Sequence, residues 1–128
     1  MIYGIGCDIA KVRRFEAWAQ NSALLKRFFN EAELWQGAAA SCASWEHYAA
    51  RFAAKEAFAK ALGTGFSAFE LKDVWVVKND AGKPSFAFSE RVASLVQARA
   101  GKGAPVHLSL SHEKDFAIAY VVIEWGEE

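Results

Sequence analysis

Cysteine and proline are scarce in this chain, with two of each among 128 residues. Cys7 and Cys42 form no C-x-x-C pair and no Cys/His cluster at zinc spacing, which excludes a disulfide framework and a zinc finger. No apolar run approaches the roughly eighteen residues of a membrane-spanning helix. The N-terminus has no basic stretch ahead of its apolar residues and meets an acid at Asp8, unlike a secretory leader. A cytoplasmic protein with reduced thiols is expected. Net charge is missing as well: fifteen basic residues balance fifteen acidic ones, so neither nucleic acid nor an anionic membrane is drawn to the chain as a whole. Two chemical signatures are also absent, the G-x-x-x-x-G-K-[ST] phosphate loop and the G-x-S-x-G nucleophile elbow.

What is present is apolar and aromatic. Hydrophobic residues make up 53%, with ten Phe and five Trp, a composition that folds, and the length suits one domain over residues 1–128. The charges, though balanced, are unevenly placed. Residues 1–30 carry five basic and two acidic groups, 31–50 three acids alone, 51–112 nine basic and five acidic, and 113–128 one basic and five acidic. A charged partner would therefore be read by a local patch.

Period-two alternation predicts a strand over 2–10, with Tyr3, Ile5, Cys7 and Ile9 on one face and Gly4, Gly6 and Asp8 on the other. Helical spacing of Phe15, Trp18, Leu24, Leu25 and Phe28 predicts one helix from about Val12 to Asn30. Asn30 reads as the cap of a short helix through Glu31, Glu33 and Trp35, followed by a loop over 37–44. Ser44 reads as the cap of a long helix ending at Leu62 with Gly63 as its stop. On that helix Ala53, Ala54, Ala57 and Ala61 gather on one side, a surface a sheet can approach closely, and Arg51, Lys55, Glu56 and Lys60 form the opposite arc. Strands are expected at 74–78 and 86–88 around a turn at 79–84. A helix of about ten residues starts at Ser89, and a closing hairpin pairs 106–110 with 116–124. Without regular βαβ spacing, the class is α+β: a mainly antiparallel sheet packed on a long central helix.

Asp8, on a glycine face of an apolar strand, is expensive unless it caps the next helix or meets a cation. Glu56 lies one turn before Lys60, which alone would be an ordinary surface pair. Together the two carboxylates can hold one hard cation such as magnesium, which takes one or two carboxylates and completes its shell with water and phosphate oxygens, while Arg51, Lys55 and Lys60 meet the remaining phosphate charge. A polyphosphate ligand suits this cluster. Gly63-Thr64-Gly65 reads first as a helix stop, and Gly63 is also a candidate contact for that ligand. Ser111 and His112 point to opposite faces of a strand, which removes a nucleophile and base pairing; His112 instead opens the S-H-E-K-D loop, within reach of a phosphate.

Five segments carry a resemblance over nearly the whole chain: GIGCDIAKVRR (4–14), RFFNEAEL (27–34), RFAAKEAFAKALGTG (51–65), NDAGKP (79–84) and HLSLSHEKDFAIAYVVIE (107–124). The chain resembles the short, single-domain 4′-phosphopantetheinyl transferases of the holo-acyl-carrier-protein synthase family. The resemblance implies transfer of phosphopantetheine from coenzyme A to a serine of apo acyl carrier protein, releasing adenosine 3′,5′-bisphosphate, in support of fatty acid biosynthesis. It also implies that Asp8 and Glu56 bind Mg2+, that Lys60 lies against the phosphates, and that Arg51, Lys55 and His112 sit in the coenzyme region. Glu56 and a metal-bound water are both candidates for the serine proton. Arg14 matches the position expected to contact the acidic carrier, and Lys26 and Arg27, on the same predicted helix, would assist. A homotrimer with sites shared between subunits is implied, which would put Asp8 and Glu56 on different chains. Cys7 stands where threonine is frequent, and Lys11 where an acid is common.

Overall fold

In the computed structural model, which describes residues 1–128, the long helix α3 (Cys42–Leu62) lies across a three-stranded antiparallel sheet. That sheet has the order β1 (Ile2–Lys11), β5 (Phe116–Glu124), β4 (Val106–His112), with Asp8 opposite Ala119. A separate antiparallel ribbon, β2 (Val74–Lys78) and β3 (Pro84–Phe88), joins α4 (Glu90–Ala100) beside it. The α+β architecture expected from the sequence is present, with both sheets antiparallel. No helix is long and apolar enough to cross a membrane.

Small residues on both partners bring α3 onto the sheet. Ala53, Ala54, Ala57 and Ala61 are buried against Ala117 and Ala119 of β5 and the glycine face of β1. A Cβ at Gly6 would stand 1.9 Å from the Ala57 carbonyl oxygen, and one at Gly4 2.1 Å from that of Ala61. These glycines serve close approach, and they turn the other face of β1 outward. Ile5 is 68% exposed and Ile9 59%, beside Tyr120 at 53% and Phe116 at 39%.

The helix expected over 12–30 is broken. A 3₁₀ turn at Val12–Arg14 leads into α1 (Phe15–Trp18), and α2 (Ser22–Phe28) starts afresh. Asn21 causes the break: its backbone is extended and its side chain accepts from the Leu24 amide at 3.1 Å, a cap that competes with continued helix. The kink lets Phe15 and Trp18 both pack on Phe52, with ring centroids 5.5 and 5.4 Å away.

Asn30 does cap the next turn, but that turn is a 3₁₀ helix ending at Glu33. The long helix begins before Ser44, because Ser41 accepts from the Ser44 amide and so occupies the cap position; Ser44 itself is buried within the helix. Gly63 closes α3 in the left-handed conformation, φ 82°, as a glycine stop requires. β3 starts at Pro84, two residues earlier than expected, and β4 runs on to His112.

Candidate active site

β1 and α3 cross so that Asp8, Glu56 and Lys60 meet. Lys60 Nζ donates to Asp8 Oδ1 at 3.0 Å and to the Cys7 carbonyl at 3.1 Å. The ordinary i,i+4 pairing with Glu56 gives way to this cross-element contact. Glu56 is half-buried, and its pKa is pushed up to about 7, first by burial, then by hydrogen bonding to Asp8 and by that neighbour's negative charge; Arg14 and Lys60 pull it partly back. The hydrogen bond to Asp8 holds the Lys60 ammonium above its usual range. Asp8 and Glu56 therefore come together within one chain, so the expectation that subunit sharing separates them does not hold.

Two neighbouring carboxylates raise each other's affinity for positive charge, and Lys60 supplies one at Asp8. This is the donor set a hard cation fits. No third His, Cys, Asp or Glu completes a group of three, which suits an ion whose remaining positions go to water and substrate oxygens.

A cleft of about 540 Å³, lined by none of Asp8, Glu56 and Lys60, opens between the first half of α3, Trp35, the tip of the β2–β3 ribbon and the end of β4. Arg51, Lys78 and His112 line it, together with Glu46, His47 and Trp35. His112 is the last residue of β4 and not part of the loop, and its Nδ1 lies 3.3 Å from Glu46 Oε2. The N-D-A-G-K-P turn shapes the tip, since Asn79 Oδ1 accepts from the Ala81 and Lys83 amides and Gly82 takes φ 83°. Burial, followed by the Arg51 charge, lowers His47 to about 4, so it is neutral and its Nε2–H donates to the Glu33 carbonyl. A second hollow, of about 300 Å³, is lined by Glu56 and Lys60 themselves, with Ala59, Gly63, Gly65 and Phe66.

One residue of the expected basic arc is elsewhere. Lys55 is fully buried, paired with Glu33 at 2.6 Å, and its remaining protons go to backbone carbonyls, so no donor is left for a ligand. Arg14 is exposed, its guanidinium 4.8 Å from the Phe52 ring centroid and its charge felt at Glu56. Lys26 and Arg27 are exposed on α2, a different element from the turn that carries Arg14. The sequence reading missed Trp35, His47 and Lys78. His47 had a signal, since it lies four residues before Arg51 on the same helical stripe; Trp35 had none.

Fold and site together define a small α+β domain whose long helix carries both a carboxylate and a lysine that meet Asp8 and an arginine that lines a cleft. Comparison with known proteins names the class. Residues 4–121 match the 4′-phosphopantetheinyl transferase superfamily. A holo-[acyl-carrier-protein] synthase of Treponema denticola is 47% identical over 125 residues, 97% of this chain and 99% of that protein. One from a Geobacter species is 45% identical over 127 residues, 97% and 99% of the two chains. Among solved structures, the holo-[acyl-carrier-protein] synthase of Neisseria meningitidis superposes with a TM-score of 0.82 at 33% identity, covering 97% and 99%. That of Bacillus anthracis, in complex with CoA (3′,5′-ADP), gives 0.77 at 36%, covering 98% and 99%. The chain belongs to the 4′-phosphopantetheinyl transferase superfamily, among its holo-[acyl-carrier-protein] synthases, and is an enzyme.

Proposed function

We propose that this enzyme transfers 4′-phosphopantetheine from coenzyme A to a serine hydroxyl of apo acyl carrier protein, with Mg2+ as its metal and adenosine 3′,5′-bisphosphate as the released product. The observation that carries this reading is the meeting of Asp8, Glu56 and Lys60 where β1 crosses α3, on the same helix that lines a cleft with Arg51, opposite Lys78 and His112. Asp8 and Glu56 hold the metal, which polarises phosphoryl oxygens when bound. The serine oxygen forms a bond to the β-phosphorus, the bond from that phosphorus to the bridging oxygen breaks and that oxygen leaves on adenosine 3′,5′-bisphosphate, and the serine proton passes to Glu56 or to water. Charge builds on the phosphoryl and departing oxygens. Lys60 Nζ, with proton donors already organised by Asp8, turns toward that charge, and its cost of reorganisation is small. Arg51, Lys78 and His112 hold the remaining phosphate charge, and the cleft takes the nucleotide half of the coenzyme.

The mass of an intact apo carrier protein, taken after incubation with enzyme, coenzyme A and magnesium, tests this directly. A gain of one phosphopantetheine with magnesium and none with a chelator is expected. Coenzyme A binding that survives chelation, without product, would make the chain a binding module and overturn the proposal.

Arg14 lies at the rim of the site, where it can meet an acidic carrier, and Lys26 and Arg27 extend the positive surface. Arg14→Glu is expected to raise KM for the carrier about tenfold and leave coenzyme A affinity within twofold. An unchanged carrier dependence removes Arg14 from the interface. The exposed apolar face of β1 and β5, around Ile5, Ile9, Phe116 and Tyr120, supports association into a homotrimer. The balanced net charge fits a cytoplasmic enzyme with no nucleic-acid or membrane partner.

A further inference from the structure

Lys55 and Glu33 both have fully buried side chains, and neither has a place in the proposed transfer. Lys55 Nζ donates to Glu33 Oε1 at 2.6 Å, to the Leu71 carbonyl at 3.0 Å and to the Val74 carbonyl. Glu33 accepts in turn from the Asn30 amide at 3.1 Å on Oε1 and from the Val76 amide at 3.1 Å on Oε2. Every proton and every oxygen of the pair is used. Burying two charges costs their hydration, and apolar replacements of such pairs are often no less stable, so stability alone is a weak reason for this one.

The position of the pair suggests another reason. It joins four separate segments at one point: the turn at Glu31–Glu33, α3, the turn at Leu71–Asp73 and β2. Two of these go on to form opposing walls of the cleft. From Glu33 the chain reaches Trp35 two residues later, and the Glu33 carbonyl holds His47 Nε2, with the Trp35 and His47 rings 5.1 Å apart. From Val74 and Val76, β2 runs directly to Lys78 and the ribbon tip. The third wall is α3 itself, where Arg51 stands one turn before Lys55.

We propose that Lys55 and Glu33 are the positioning pair of the coenzyme cleft: they fix the separation of the Trp35–His47 wall from the Lys78 wall and the rotation of α3 that presents Arg51. They set coenzyme affinity without touching the reacting atoms. This rests on the reading that the cleft holds the nucleotide half of coenzyme A. Linkage then requires the converse, that a ligand in the cleft stabilises the pair.

Glu33→Gln tests it, since it keeps the size of the side chain and removes the charge. At a temperature where circular dichroism matches the parent, Kd for adenosine 3′,5′-bisphosphate and KM for coenzyme A are expected to rise about tenfold. The expected kcat and carrier KM stay within twofold, and Glu33→Asp, which restores the charge, recovers part of the affinity. A variant that melts earlier yet binds as tightly overturns the proposal. If Glu33→Gln does not fold, the parent answers by hydrogen exchange: adenosine 3′,5′-bisphosphate should slow the Val76 and Asn30 amides more than the Val92 amide of α4. Equal slowing at all three, or at none, overturns it. A parent enzyme that binds neither ligand overturns the cleft assignment as well, and that result appears before any substitution is made.

Discussion

Asp8→Asn is expected to leave the chain folded and to lower transfer about a thousandfold, ~4 kcal/mol of barrier. The substitution removes one of the two carboxylates proposed to hold the metal and the anchor that holds Lys60 Nζ at 3.0 Å. Glu56→Gln removes the other carboxylate and should cost as much. Single-turnover rates with saturating coenzyme A measure both effects, and near-parent transfer by either variant removes the metal assignment. A second consequence concerns stability. Glu56 rises from 4.5 to about 7 in the folded chain, chiefly through burial and Asp8. The folded state therefore binds a proton that the unfolded state has released, and metal-free stability falls as pH climbs from about 4.5 through about 7. Asp8→Asn should flatten that decline. Urea midpoints at pH 5 and pH 8, with and without magnesium, read it out, and magnesium should raise the pH 8 midpoint of the parent alone.

Gly6→Ala is expected to be the most destabilising single methyl that can be added to the sheet. The new Cβ would meet the Ala57 carbonyl oxygen at 1.9 Å, the Ala57 carbonyl carbon at 2.8 Å and the Ala61 amide nitrogen at 2.9 Å, all backbone atoms that cannot swing aside. β1 must then lift from α3, at a cost of about 3 kcal/mol or more. Because Asp8 lies two residues along the same face, the lift also pulls it from Lys60 and Glu56, so activity should fall beyond the loss in folded protein. Cys7→Ala, on the outward face, should change stability by less than about 1 kcal/mol. Equal midpoints for the two variants would mean that the sheet and helix are not in close contact at Gly6.

Much of this was legible in the chain before folding. Alternation placed Gly4, Gly6 and Asp8 on one face of β1, and the alanines of α3 declared a surface that a sheet could approach. Gly63 announced the helix end. What escaped depended on distant partners. Ile5 and Ile9 look like core residues by composition, but the alanine surface of α3 accepts only glycine and so turns them outward. The break at Asn21 is invisible to aromatic spacing, which continues smoothly through it. Lys55 reads as solvent-facing because a charge has that default, and only Glu33, 22 residues away and equally buried, reverses it. Lys60 was expected in a basic ring around Asp8 and Glu56, and the crossing of helix and strand delivers it to Asp8.

The single helix α3 has one more consequence. Arg51, Glu56 and Lys60 all stand on it, five and four residues apart, so their axial separations are fixed at about 7.5 and 6 Å by the helical rise. Under the proposed function, the spacing of the substrate's phosphate groups would be met by a length written into backbone hydrogen bonds. One residue inserted between 51 and 60 would turn Arg51 by about 100° relative to Lys60 while every side chain kept its identity. On that reading substrate choice is in part a matter of counting residues, and loop remodelling around the cleft would vary the shape of what is bound without altering its length.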